Sequence, residues 1–252
     1  MSHQEGLSSD PSLPVTVPSE ESRPSDQEAE NANNIERTRR FQFLDIYVPL
    51  YQAALKGDWH AAKAILEKYP DAIRNPITKA NDTALHIATL AERASFVREL
   101  VKRMNPADLE LTNRQENTAI CFAAASGIVA IAEEMVNKNG KLPLIRGSNK
   151  MTPLYMAALQ GRRDMVSYLY SVTDFEQLTS SERIDILVAS ISADFYDIAL
   201  EILKKYPELA TMKTSYHGMI ALQELANKPF AIGSKNQLSV WERSLNYCKY
   251  FT

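Results

Sequence analysis

Apolar positions along this chain come in pairs of short helical stripes. The first stripe of each pair opens on a leucine or isoleucine and stops about seven residues later. The second carries apolar residues at helical spacing, as in Ala62, Ile65 and Leu66. Polar, turn-rich stretches separate the pairs: NPITKAND before Thr83, TNRQEN before Thr118 and RGSNKM before Thr152. The opening residues are Leu50, Leu85, Ile120, Leu154, Leu187 and Leu222, spaced 35, 35, 34, 33 and 35 residues apart. A period held over six copies marks a repeat architecture, in which one helix pair cannot bury its own apolar face and its neighbours supply the cover.

Each repeated position has a physical reading. Three residues past the opener stand Ala53, Ala88, Ala123, Ala157 and Ser190, with Leu225 the exception. Small side chains there let neighbouring helices approach closely. Seven past it stand Gly57, Gly127 and Gly161, predicted to end the first helix by entering the left-handed conformation at little cost. Glu92, Asp194 and Pro229 replace glycine in the other copies. The uncharged run from Asn117 to Ala132 is shorter than the roughly 20 apolar residues a membrane span needs, and its register makes it a buried helix pair.

The segments NDTALHIATLA, ENTAICFAAASG and NKMTPLYMAALQG resemble the ankyrin repeat, a β-turn finger followed by two antiparallel helices with a T-P-L-H-x-A signature. The resemblance runs from about Asp45 to Ala226 and weakens in the last two copies. It implies an all-α solenoid of stacked helix-turn-helix units with short β-turn fingers. The framework positions are then Leu50, Gly57, Leu85, His86, Gly127, Pro153, Leu154 and Gly161, with His86 tying a finger to its helix. The opening repeat, VPLYQAALKGDW, also looks like plant ankyrin proteins that end in a membrane-spanning PGG module. No such module is read in this chain.

Composition adds a boundary. Residues 1–40 hold eight acidic side chains against four arginines, four prolines and seven serines, and a disordered acidic leader is expected there. The whole chain carries a net charge of −3, so residues 41–252 are near neutral, with 24 basic against 23 acidic side chains. That balance excludes a general nucleic-acid binder, which needs clustered Lys and Arg. The domain reading is therefore a leader over 1–40, about six repeats over 41–228 with the last two degenerate, and 229–252 as a capping helix or the start of a linker. Leu238, Trp241, Leu245 and Cys248 fall at helical spacing in that last segment. Two cysteines fit a reducing compartment, and no basic-then-apolar signal segment is read at the N-terminus. A cytoplasmic monomer is expected.

Candidate chemistry is sparse. His86 and Cys121 share one slot in successive repeats, but no orienting third group or oxyanion donor accompanies them, so no catalytic residue is assigned. Metal-ligand spacing and a phosphate-binding glycine loop are absent from the sequence, and neither metal nor cofactor is expected. The adjacent Glu133 and Glu134 read as solvated helix residues. What remains is surface, and the concave side of a solenoid is its usual binding side. The partner-facing candidates are Lys56, Lys79, Arg114, Gln115, Asn117, Arg146, Asn149, Met151, Gln160, Lys213 and Tyr216. The variable pairs Leu55-Lys56, Leu90-Ala91, Ala125-Ser126 and Leu159-Gln160 lie on the first helices. The basic residues at the finger tips read as solvated turn residues before they read as a ladder for an acidic peptide. The expected function is a non-enzymatic protein-protein interaction module. The resemblance to the PGG-type plant proteins implies an alternative, the cytoplasmic sensor part of a membrane-tethered stress or defence signalling protein.

Overall fold

The computed structural model describes residues 43–214, 218 and 220–228, which fall within one compact unit, Phe41–Thr252. The leader expected over 1–40, the capping helix or linker over 229–252 and the candidate Tyr216 lie outside the described residues. Five complete helix pairs follow one another. They are α1 (Val48–Lys56) with α2 (Trp59–Lys68), α3 (Ala84–Leu90) with α4 (Ala94–Arg103) and α5 (Ala119–Ser126) with α6 (Val129–Lys138). Next come α7 (Pro153–Leu159) with α8 (Arg163–Val172) and α9 (Ser180–Ser192) with α10 (Tyr196–Lys205). Helix α11 (Ala221–Ala226) opens the sixth unit. Among the described residues the only β-type pairing is a single antiparallel bridge between Lys213 and Ile220.

Every first helix packs against its own second helix, where that is described, and against the first helix of the next unit. The alanines make this possible. Ala53, Ala84, Ala88, Ala119, Ala123, Ala157 and Ala158 are no more than 3% exposed, so neighbouring helices meet with little side chain between them. The openers Leu50, Leu85, Ile120, Leu154 and Leu187 are at most 1% exposed, and each such burial stabilises the stack by about 2–3 kcal/mol. Leu222 breaks the series: it is 56% exposed, and its neighbour Ala221 is the residue buried in the core. The run from Asn117 to Ala132 spans α5 and the first turn of α6, with Ile120, Ile131 and Ala132 fully buried.

Between the two helices of each unit the chain turns through one left-handed residue. Gly57, Gly127 and Gly161 have φ of 77°, 85° and 64°. At the same place in the other units, Glu92 and Asp194 have φ of 62° each, so the backbone keeps its course where the glycine is lost. A side chain in that region costs roughly 1–2 kcal/mol. Asp194 gains bonds in return, accepting from the Tyr196 hydroxyl at 2.6 Å and pairing with Lys228 at 3.1 Å, whereas Glu92 is exposed.

The fifth unit replaces its finger with helix. Helix α9 starts at Ser180, seven residues before its opener Leu187, with Thr179 and Glu182 capping each other through Thr179 N–H to Oε2 (2.8 Å) and Glu182 N–H to Oγ1 (3.2 Å). The extra turn brings Arg183 over the Tyr206 ring at 4.4 Å, where its Nε donates to the Phe175 carbonyl at 3.0 Å. Thr-Pro is missing from this copy because a capping box has taken over its task.

Glycine should therefore be better tolerated than glutamate at position 92. Glu92→Gly is expected to raise the melting temperature by about 2–4 °C, corresponding to about 1 kcal/mol. Gly127→Ala should lower it by at least as much, since an added Cβ would lie 2.8 Å from Arg162 Cδ in a left-handed backbone. Thermal denaturation followed by circular dichroism reads both, and an unchanged midpoint in Glu92→Gly would refute the strain.

Candidate binding face

Three fingers connect the first four units. Each closes on itself through a backbone bond: Ile77 N–H to the Asp82 carbonyl (2.8 Å), Asn113 N–H to Asn117 (2.9 Å) and Gly147 N–H to Met151 (2.9 Å). The residue at the base of each finger decides how its turn is held. Thr78 Oγ1 accepts from the N–H groups of Ala80 and Asp82, and Asn113 Oδ1 accepts from those of Gln115 and Asn117. Gly147 has no side chain to do this, so Asn117 of the previous finger reaches across and accepts from Ser148 N–H at 2.8 Å. Its Oδ1 would be 2.4 Å from a Cβ at position 147, with Cys121 Sγ and Met156 Cε at 2.8 Å. Glycine is needed there for close approach, not for an unusual φ.

A line of polar contacts thus runs along the stack. Asn113 Nδ2 donates to Asp82 Oδ1 at 2.9 Å, and Arg114 N–H donates to the Ala80 carbonyl at 2.8 Å. His86 is the buried joint of this line, 2% exposed. Its Nδ1 accepts from Thr83 N–H at 3.2 Å, so Nε2 carries the proton and donates to the Asn117 carbonyl at 3.0 Å. The histidine therefore ties its own finger base to the next finger. Cys121 occupies the same slot one unit on, buried and 3.5 Å from Thr118 Oγ1, and burial pushes its thiol above its ordinary pKa. A thiol held neutral is a poor nucleophile.

Of the ten described candidate contact residues, nine divide into two groups and Met151 is half-buried. Lys56, Lys79, Arg114, Gln115, Asn149, Gln160 and Lys213 are exposed at finger tips, at helix ends or on the last bridge. Asn117 and Arg146 are engaged inside the fold. Asn117 is 7% exposed, with its carbonyl and side chain both bonded, and Arg146 pairs with Glu182 at 2.8 Å across the step where the finger is missing. An open groove of about 260 Å³ lies at that step, and Arg146, Asn149 and Met151 line it with the first residues of α9. Lys150 pairs with Glu116 at 2.7 Å, and Glu134 is not free in solvent but pairs with Arg98 of the preceding unit.

One feature of this face is not anticipated from the sequence. Arg93 and Arg162 reach back to the preceding unit, where each Nε donates at 3.0 Å to a carbonyl at the end of the first helix, Leu55 and Ala125 respectively. Their stems lie over Gly57 and Gly127. The signal was present: each arginine follows its glycine by one period, 36 and 35 residues on. Of the four variable pairs only two supply a contact candidate, Lys56 and Gln160, yet Leu55, Leu90 and Leu159 are themselves 44%, 59% and 53% exposed.

Two expectations test the polar line. Burial holds the His86 pKa below its ordinary 6.5, against the opposing pull of the Asn117 carbonyl and the Asp82 charge. The unfolded chain then takes up a proton that the folded chain resists, so this stability is present above pH 6.5 and is lost as pH falls below it. The melting temperature should drop between pH 7.5 and 5.5, and less so in His86→Gln; equal slopes would remove His86 as the cause. Gly147→Ala should destabilise by about 1–3 kcal/mol through overpacking at Asn117 and Cys121, read in the same melts. A wild-type midpoint would contradict the close approach.

Among the described residues no helix is long and apolar enough to cross a membrane. Residues 92–179 match the family model of ankyrin repeats, in three copies. No curated protein matches the chain. Among solved structures the chain is similar to the ankyrin repeat domain of Bcl-3, described as a unique member of the IkappaB protein family. Identity is 18%, the TM-score is 0.59, and the match covers 79% of this chain and 85% of that one. The chain thus has the ankyrin-repeat fold and carries, over residues 92–179, ankyrin repeats, which are protein-protein interaction modules.

Proposed function

We propose that this chain binds a partner protein along the face formed by its fingers and first helices, the concave side of the solenoid, and that it acts by binding and not by catalysis. One observation carries the reading. The large apolar residues left exposed among the described residues are Leu44, Leu55, Leu90, Leu159 and Leu222, and none of them lies on a second helix. The second helices instead carry an outer face of charges, several of them paired among themselves through Lys63–Glu67, Arg98–Glu134, Lys102–Glu99 and Arg163–Asp197. A face of solvated and paired charges offers a partner little apolar area, while exposed apolar side chains recurring in register offer area to bury. His86 and Cys121 do not form a nucleophile pair on this reading, since both imidazole nitrogens are bonded within the framework and the thiol is buried.

The test compares two faces of the full chain. Proteins from a native lysate captured on wild type should be lost on Lys79→Glu with Arg114→Glu, both exposed at finger tips, and retained on Lys138→Glu on α6. Capture that survives the finger pair and fails with Lys138→Glu would place binding on the second helices and overturn the proposal.

A further inference from the structure

Resting on that face reading, we infer that the partner presents an acidic amphipathic helix to the row formed by the ends of the first helices. The row consists of Leu55, Leu90, Ala125 and Leu159, equivalent residues five past each opener, with Arg93 and Arg162 beside it. Three exposed leucines and one small residue make an apolar ledge with a dip at Ala125, which suits one large side chain of an incoming segment.

Charge identifies the sign of the ligand. Among the described residues, five arginines on second helices, after the turn Pro70–Ile73 and in the finger at 146 have a carboxylate partner, while Arg93, Arg114, Arg162 and Arg183 do not. Arg74, Arg98, Arg103, Arg146 and Arg163 each pair with Asp or Glu. Among the described residues Arg93 and Arg162 have none within ion-pair distance; each gives its Nε to a carbonyl and keeps its full charge beside the leucines. Glu92 beside Arg93 and Asp58 at the equivalent place in the first unit are exposed opposing charges, and Lys56 adds a positive one at the first step, which leaves three cations against two anions. The balance along the row is positive, so carboxylates on the partner complement it.

Spacing and backbone chemistry identify the conformation. Directly packed helices lie about 8–10 Å apart, which sets the interval between successive ledge residues. A helix returns a side chain to one face every seven residues, about 10.5 Å along its axis. An extended strand returns at about 7 or 13 Å and falls out of step. The row is made of helix ends and not of a sheet edge, so an extended segment would find no strand to pair with. A segment lying on an apolar ledge must close its own backbone hydrogen bonds, and a helix does.

The experiment is a selection of binders to the purified full chain from a display library of random 27-residue segments, followed by titration calorimetry. Recovered segments should carry apolar residues at intervals of three, four and seven and more Asp and Glu than Lys and Arg. They should bind at least ten-fold more weakly to the double variant Leu90→Asp, Leu159→Asp, and at least ten-fold more weakly when salt rises from about 50 to 500 mM. Both leucines are exposed, so the variant should melt like wild type, and a circular dichroism melt checks this. Segments that are basic, segments without helical period, indifference to the double variant, or recovery of no binder would each overturn the inference. Binders lost on the finger pair Lys79→Glu, Arg114→Glu but indifferent to the leucine pair would overturn the helix ledge and leave the face reading standing. Binders indifferent to both pairs would overturn both.

Discussion

A two-helix unit of this size exposes apolar surface on both flanks, and only a neighbour can cover it. The rest of the structure follows from how closely that neighbour approaches. Alanine at Ala53, Ala88, Ala123 and Ala157 sets the approach, and the fully buried openers Leu50, Ile120 and Leu154 fill what remains between units. Once the distance between first helices is fixed, the fingers must also lie within hydrogen-bonding reach of one another. The chain Asp82–Asn113 and Asn117–Ser148, joined through His86, is the polar consequence of an apolar contact. A buried carbonyl such as that of Asn117 has no water to turn to, and it accepts both from Asn113 N–H of its own finger and from His86 Nε2 of the preceding repeat.

The same close approach explains the variations among copies. Where a finger base has a side chain, as at Thr78 and Asn113, the finger holds its own turn. At Gly147 the space is given to Asn117, and the turn is held from next door. In the fifth unit there is no finger, and an added helical turn brings Glu182 to Arg146 and Arg183 to Tyr206. Three local chemistries thus close the same gap between repeats. The turn between paired helices behaves likewise: the left-handed residue stays at Glu92 and Asp194 without glycine, because the angle between the helices is set by their packing and not by the residue that makes the turn.

Much of this was legible in the sequence, for a physical reason. Period, small residues and glycines are imposed at the same place in every copy, so they repeat and can be counted. The interlocks between copies were not legible, because each is solved once. Nothing in RGSNKM says that Asn117 will supply the missing side chain, whereas TSSERI does carry a signal that helix replaces finger, the Thr-x-x-Glu capping box of Thr179 and Glu182, which went unread. From sequence, Asn117 and Arg146 look like contact residues because polar side chains in turns are usually solvated; here both are spent on joining repeats. Arg93 and Arg162 hid for the opposite reason. A lone arginine carries no pattern, and only its partner glycine one period earlier gives it meaning.

That division also separates structure from binding on the surface. A residue that joins repeats must have its partner inside the chain, as His86, Asn117 and Arg146 do. A residue free to meet another protein must be one the stack can do without. The leucines at the ends of α1, α3 and α7 meet that condition: the helices have already been stopped, and the helix-end carbonyls of α1 and α5 are taken by arginine. Leucine favours helix at these positions, but other good helix formers would do so without the exposed apolar surface that promotes association. The leucines' recurrence at one place in the repeat, beside guanidinium groups without carboxylate partners, is better explained by what they meet than by what they hold together.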